Sequence, residues 1–157
     1  DFTGVGGRKK DKPEEPGLDI QAAVTNINGM YEIISKHLSK YISENYKNFS
    51  ILGRSAGGGL SLQLVFLHGL QPVSLNLAAP GYSYDDIKEH IIAYPNKDLP
   101  IRICWAKEDK KILEEDGQKL KELLNDYTDF MYYLVVVGSE DDKATHRIQP
   151  ILLDNLI

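Results

Sequence analysis

Gly53-Arg54-Ser55-Ala56-Gly57 decides how this chain reads. It is a G-x-S-x-G placed between a short apolar run at 49–52 and a helical pattern that starts at Ala56. From 13 glycines in 157 residues, about 0.06 such matches are expected by chance. The chemistry of the pattern is steric: a sharp strand-to-helix turn holds the serine in a strained conformation, and side chains at the flanking glycines are expected to collide. Such a turn lifts Ser55 Oγ off the sheet. The next helix's N-terminus and the Ala56 N–H then lie close to a developing oxyanion. The bland alternatives are a Gly-rich helix start with a capping serine, or a phosphate loop. The Gly-Lys-Ser/Thr that a Walker loop needs is absent.

Outward from this turn, elements alternate. Ile20, Val24, Ile27, Tyr31, Ile34, Leu38 and Tyr41 recur at steps of three or four, predicting an amphipathic helix with one buried face, capped by Asp19 and ending near Asn45. Residues 49–52 read as a buried strand broken by Gly53. Leu60, Leu62, Leu64, Val65 and Leu67 predict a helix stopped by Gly69 and Pro72. Strands follow at 73–77, 101–105 and 130–137. Between them lie a short helix capped by Ser83 and carrying Ile87 and Ile91, and a longer one carrying Ile112, Leu113, Leu120, Leu123 and Leu124. A last helix buries Ile151, Leu152 and Leu156. Residues 1–17 read as loop, with Pro13 and Pro16-Gly17 as breakers.

Strand–helix alternation predicts an α/β fold: one domain over 1–157, with a mostly parallel four-stranded sheet and helices on both faces. Chemistry in such sheets collects at the carboxyl ends of the strands. A serine nucleophile needs a base that a carboxylate orients. Asp109 follows the third strand and His146 the fourth, so the chain order is Ser, acid, His. Glu108 points away if Asp109 points in, and Asp85, after the second strand, is the substitute acid. Arg54, Tyr82, Tyr84 and Ile87 are pocket candidates. His37 and His90 read as solvated, His68 as a cation at a helix end, and Cys104 and Trp105 as core.

Composition narrows the rest. At 42% apolar and 26% charged, the chain is of ordinary globular composition, and a chain of this length buries roughly 70% of its unfolded surface. A net charge of -5, with no basic stripe interleaved with aromatics, argues against nucleic acid as the main partner. No apolar stretch approaches the ~20 residues of a membrane span. One cysteine allows neither an intrachain disulfide nor a Cys-based metal site. No cofactor and no metal are expected. The single thiol and the polar first residues lean toward the cytoplasm without fixing the compartment.

These residues resemble the α/β-hydrolase superfamily over nearly the whole chain. Asp1-Phe2-Thr3-Gly4-Val5-Gly6-Gly7 looks like the family's D-x-x-G-x-G segment, Gly53 to Gly57 with Gly58 like its nucleophile elbow, Ala106 to Asp109 like its acid loop, and His146 like its catalytic histidine. The resemblance implies Ser55 as nucleophile, His146 as base, Asp109 as its orienter and the Ala56 N–H as one oxyanion donor. It departs from the pattern in having Ala106 where a glycine is usual and Gly138 well upstream of His146. The family also has about four further strands, and a loop with a second oxyanion N–H, before the position of Asp1. The chain is therefore expected to be the C-terminal portion of the fold, with an upstream segment or a partner chain covering the edge of the elbow strand. Lacking one oxyanion donor costs roughly 10²–10³ in rate. The expected activity is hydrolysis of a small-molecule acyl substrate, a carboxylic ester or thioester, through an acyl-enzyme. The alternatives are a catalytically silent binding or structural module, and acyl transfer by the same triad.

Overall fold

The computed structural model describes residues 20–81, 87–128 and 131–136. The expected loop at 1–17 and the last helix lie outside them. Four strands, β1 (Ser50–Arg54), β2 (Ser74–Ala78), β3 (Ile101–Ala106) and β4 (Met131–Val136), form one sheet in the order β1-β2-β3-β4. Every pairing is parallel, so all four carboxyl ends lie along one edge. The helices are α1 (Ile20–Asn45), α2 (Ala56–Leu62), α3 (Lys88–Ala93) and α4 (Glu114–Asn125). A π-helical turn, Gln63–Leu67, continues α2. None of these helices is long and apolar enough to cross a membrane.

Period-two alternation sorts the strands into faces. Ile51, Leu75, Leu77, Ile101, Ile103 and Trp105 share the core with Leu62, Val65, Phe66, Ile87, Ile91, Leu120 and Leu124 from the helical segments. The register pairs Ile51 with Leu75 and Leu75 with Ile101, which puts these residues on one face. On the other face Asn76, Ala78, Cys104 and Ala106 are buried as well, so β2 and β3 are covered on both sides. Strand β1 is different: its residues alternate between exposed and buried, and Leu52 is 52% exposed. A polar ladder crosses that second face. Ser74 Oγ donates to Ser50 Oγ at 2.8 Å, Asn76 Nδ2 to Ser74 Oγ at 3.1 Å, and Arg102 Nη1 to Asn76 Oδ1 at 3.3 Å.

Three expectations change in detail. Strand β1 runs through Gly53 to Arg54, because Gly53 packs its bare Cα against the start of α2. Ile112 and Leu113 precede α4, because the loop before that helix captures the backbone of Ile112. Helix α1 has no fully buried apolar face around Tyr41, which is 55% exposed. The helix packs chiefly on the π-helical turn, which half-buries Ile34 and Leu38 and leaves Tyr41 edge-to-face with Tyr46.

Candidate active site at the carboxyl edge of the sheet

Ser55 links β1 directly to α2 with φ 50° and ψ −123°. A side chain with Cβ adopts a positive φ only under strain, and surrounding contacts must hold it there. The backbone supplies those contacts. Ser55 N–H donates to Ala78 O at 2.9 Å, and Ser55 O accepts from Gly59 N–H at 3.1 Å and from Gly81 N–H at 2.9 Å. Ala79, leaving β2, also has a positive φ, 41°, and its N–H donates to Cys104 O at 2.9 Å. Adjacent strands therefore end in two strained residues, each with its N–H tied to the end of the next strand in the sheet, Ser55 to β2 and Ala79 to β3. Ser55 occupies the N-cap position of α2, yet its side chain makes no capping hydrogen bond there. The capping-serine alternative does not describe this residue.

The glycines divide by space. A Cβ on Gly53 would lie 2.2 Å from Ser61 Oγ and 2.7 Å from Gly57 O, and one on Gly58 would lie 2.7 Å from Pro80 Cα. At Gly57 none of the described residues stands within 4 Å. The expected collision at both flanking glycines is thus found at Gly53 alone, and the second crowded position is Gly58. Ser61 takes advantage of the gap at Gly53: its hydroxyl donates to Gly57 O at 2.7 Å, a back-bond to the preceding turn.

Asp109 is buried in the turn after β3. Its N–H donates to Ala106 O at 3.1 Å, and its Oδ1 accepts from Lys111 N–H at 2.9 Å and Ile112 N–H at 3.1 Å. Both amides converge on Oδ1; Oδ2 takes neither of them. Glu108 is half-buried beside it. Trp105 Nε1–H closes the turn by donating to Ile112 O at 3.0 Å. Ser55 and Asp109 therefore stand at the same edge of the sheet, after β1 and β3. Gly81 lies between them: a Cβ there would be 2.8 Å from Ile112 Cδ1 and 3.8 Å from Ser55 C.

Of the other expected residues, Arg54 is exposed at the end of β1, and Ile87 is fully buried in the core. Ala56 is half-buried at the start of α2. His146, Tyr82, Tyr84 and Asp85 lie outside the described residues. Among the described residues no group of His, Cys, Asp or Glu is arranged to hold a metal ion. Cys104 and Trp105 are core residues as expected, and burial pushes the Cys104 thiol up to about 11. His37 and His90 are exposed. His68 does more than end a helix. Its Nε2 lies 2.7 Å from Ser35 Oγ on α1, and burial lowers its pKa, opposed by Glu32 and assisted by Lys36. Two residues that sequence reasoning missed, Ile112 and Gly81, gave no chemical signal because they act through backbone and shape.

No protein-family profile matches the chain, and no curated protein matches it significantly. Solved structures do. The chain is 21% identical to Arabidopsis thaliana SOBER1, covering 93% of this chain and 70% of that one with a TM-score of 0.51. It is 17% identical to Zea mays acyl-protein thioesterase 2, covering 84% and 67% at a TM-score of 0.58. It is 15% identical to MGS-MChE2, an α/β hydrolase enzyme from the metagenome of sediments of the Mar Chica lagoon, Morocco, covering 80% and 67% at 0.55. The chain spans about two thirds of the length of these neighbours. At such identities the likeness speaks to architecture, and it agrees with the parallel sheet and its helices: this chain has the α/β-hydrolase fold.

Proposed function

We propose that the protein is a serine hydrolase of carboxylic ester or thioester bonds, with Ser55 as nucleophile, His146 as general base and Asp109 as its orienter. The observation that carries this reading is the strained Ser55, fixed at the carboxyl end of β1 without capping the helix that follows. Strain of this kind is a cost that a capping or packing serine would not incur. Asp109 supports it, because two amides hold Oδ1 while Oδ2 is the oxygen assigned to the imidazole N–H.

Ser55 Oγ attacks the acyl carbonyl carbon as His146 accepts its proton. The carbonyl oxygen becomes an oxyanion beside the Ala56 N–H and the start of α2. Collapse expels the alcohol or thiol, which takes that proton from His146 and leaves an ester on Ser55. Water then attacks the ester with His146 again as base, releasing the acid and restoring the hydroxyl. Asp109 orients and stabilises the imidazolium. The resemblance to an acyl-protein thioesterase favours a thioester as the bond cleaved. The apolar groove of about 460 Å³ between α1, β1 and α2 is where this reading places the covering upstream segment or partner chain.

A fluorophosphonate probe tests the proposal. Covalent labelling that disappears in Ser55→Ala and in His146→Ala is expected. A folded protein that turns over no p-nitrophenyl ester or acyl thioester and takes no label at Ser55 overturns it.

A further inference from the structure

Ile112 is gripped at every point where it offers a contact. Its C=O accepts the Trp105 indole N–H at 3.0 Å, and its N–H donates to Asp109 Oδ1 at 3.1 Å. Its side chain lies against Gly81, where a Cβ would come within 2.8 Å of Cδ1. Gly81 N–H in turn holds Ser55 O at 2.9 Å. The indole is itself fixed. Trp105 is fully buried, and a Cβ on Gly117 would lie 2.7 Å from its ring and 2.5 Å from Tyr133 OH. Tyr133 OH donates to Glu114 Oε1 at 3.1 Å on the first turn of α4.

We infer that Trp105 is a positioning residue for Asp109, acting through the backbone of Ile112 on either side of its Cα, and that Ile112 ties the Asp109 turn to the Ser55 turn. This rests on the proposed roles of Ser55 and Asp109. The physical reason is directional. Two amides on Oδ1 fix the plane of the carboxylate, and that plane sets where Oδ2 points. One of those amides belongs to a residue whose carbonyl is anchored by the indole. Without the indole N–H the peptide after Ile112 loses its anchor, φ and ψ of Ile112 are less tightly set, and the preceding peptide, whose N–H binds Oδ1, holds the carboxylate less firmly. The imidazolium that forms at His146 is then less well stabilised.

The test is Trp105→Phe, which keeps a large ring and removes the donor. Kinetics are measured on a p-nitrophenyl acyl ester, alongside thermal unfolding and the pH profile of kcat/KM. Losing one hydrogen bond felt mainly in the transition state predicts a fall in kcat of about tenfold with KM little changed. The acid limb of the pH profile should move to lower pH, because a misaligned carboxylate no longer raises the pKa of the base. Should Trp105→Phe fail to fold, the chain's single tryptophan can be replaced biosynthetically by β-(3-benzothienyl)alanine, which keeps the indole's shape without its N–H. A variant that is less stable yet keeps kcat and the pH midpoint overturns the inference and leaves the hydrolase reading intact. An unreactive wild-type protein overturns the reading, and the inference falls with it.

Discussion

Strand β1 and its neighbour β2 run side by side in register, yet they live in different solvents. Leu77 on β2 is fully buried, and both faces of that strand are covered; Leu52 on β1 is half in water. The strained serine belongs to the open strand, but the groups that hold its backbone come mostly from the closed one. Ala78 O takes its N–H, and Gly81 N–H holds its carbonyl. A conformation that costs of order 1–3 kcal/mol is thus secured by the part of the sheet least able to move. The lesson is that the open strand carries the candidate nucleophile while the closed strand beside it keeps that turn in shape.

Mutations grade that contrast. Leu77→Ala should have the largest effect, about 2–5 kcal/mol of lost stability by denaturant unfolding. A loss near that seen for an exposed leucine would mean that the middle of the sheet is not the closed half. Gly58→Ala comes next, about 1–3 kcal/mol, because the new methyl meets Pro80 just beyond β2. Its companion Gly57→Ala meets none of the described residues and should fold like the wild type, so equal losses at the two glycines would break the assignment of crowding. Tyr94→Phe sharpens the dryness of the closed side. Its hydroxyl donates to Leu70 O at 2.8 Å, worth about 0.5–1.5 kcal/mol, and burial pushes the phenol up to about 12. With the folded pKa above the ordinary 10.0, that contribution is complete below pH 10 and is lost as pH rises through about 12. Alkaline titrations of stability should show this fall in the wild type and less of it in the variant. Leu52→Ala, on the open strand, should stay within about 0.5 kcal/mol while the groove that Leu52 lines stands open, and should cost more when the proposed segment or partner covers it.

Much of this was legible in the residues. The spacing of Ile101, Ile103 and Trp105, the run of leucines after Ala56 and the position of Asp109 after a strand all express single-element periodicity, and the structure follows them. The G-x-S-x-G was legible for the same reason, since strain at Ser55 is a local demand. What escaped depends on distant chain. Gly58 is crowded by Pro80, 22 positions later, and Gly57 is open because none of the described segments reaches it. Ile112 leaves the helical pattern because an indole and a carboxylate compete for its backbone. Tyr41 fits the spacing of a buried face, but spacing does not reveal how wide the packed neighbour is. The π-helical turn at Gln63–Leu67 has the same leucine pattern as an ordinary helix.

The protonated, buried state of Cys104 has a practical consequence. Alkylation requires thiolate, so burial and the raised pKa make the chain's single thiol slow to react with maleimides and iodoacetamide at neutral pH. Leu52→Cys or Gly57→Cys would then give a folded protein one readily reactive sulfur, and a fluorophore or spin label attached there would report on either the open strand or the serine turn with little background signal.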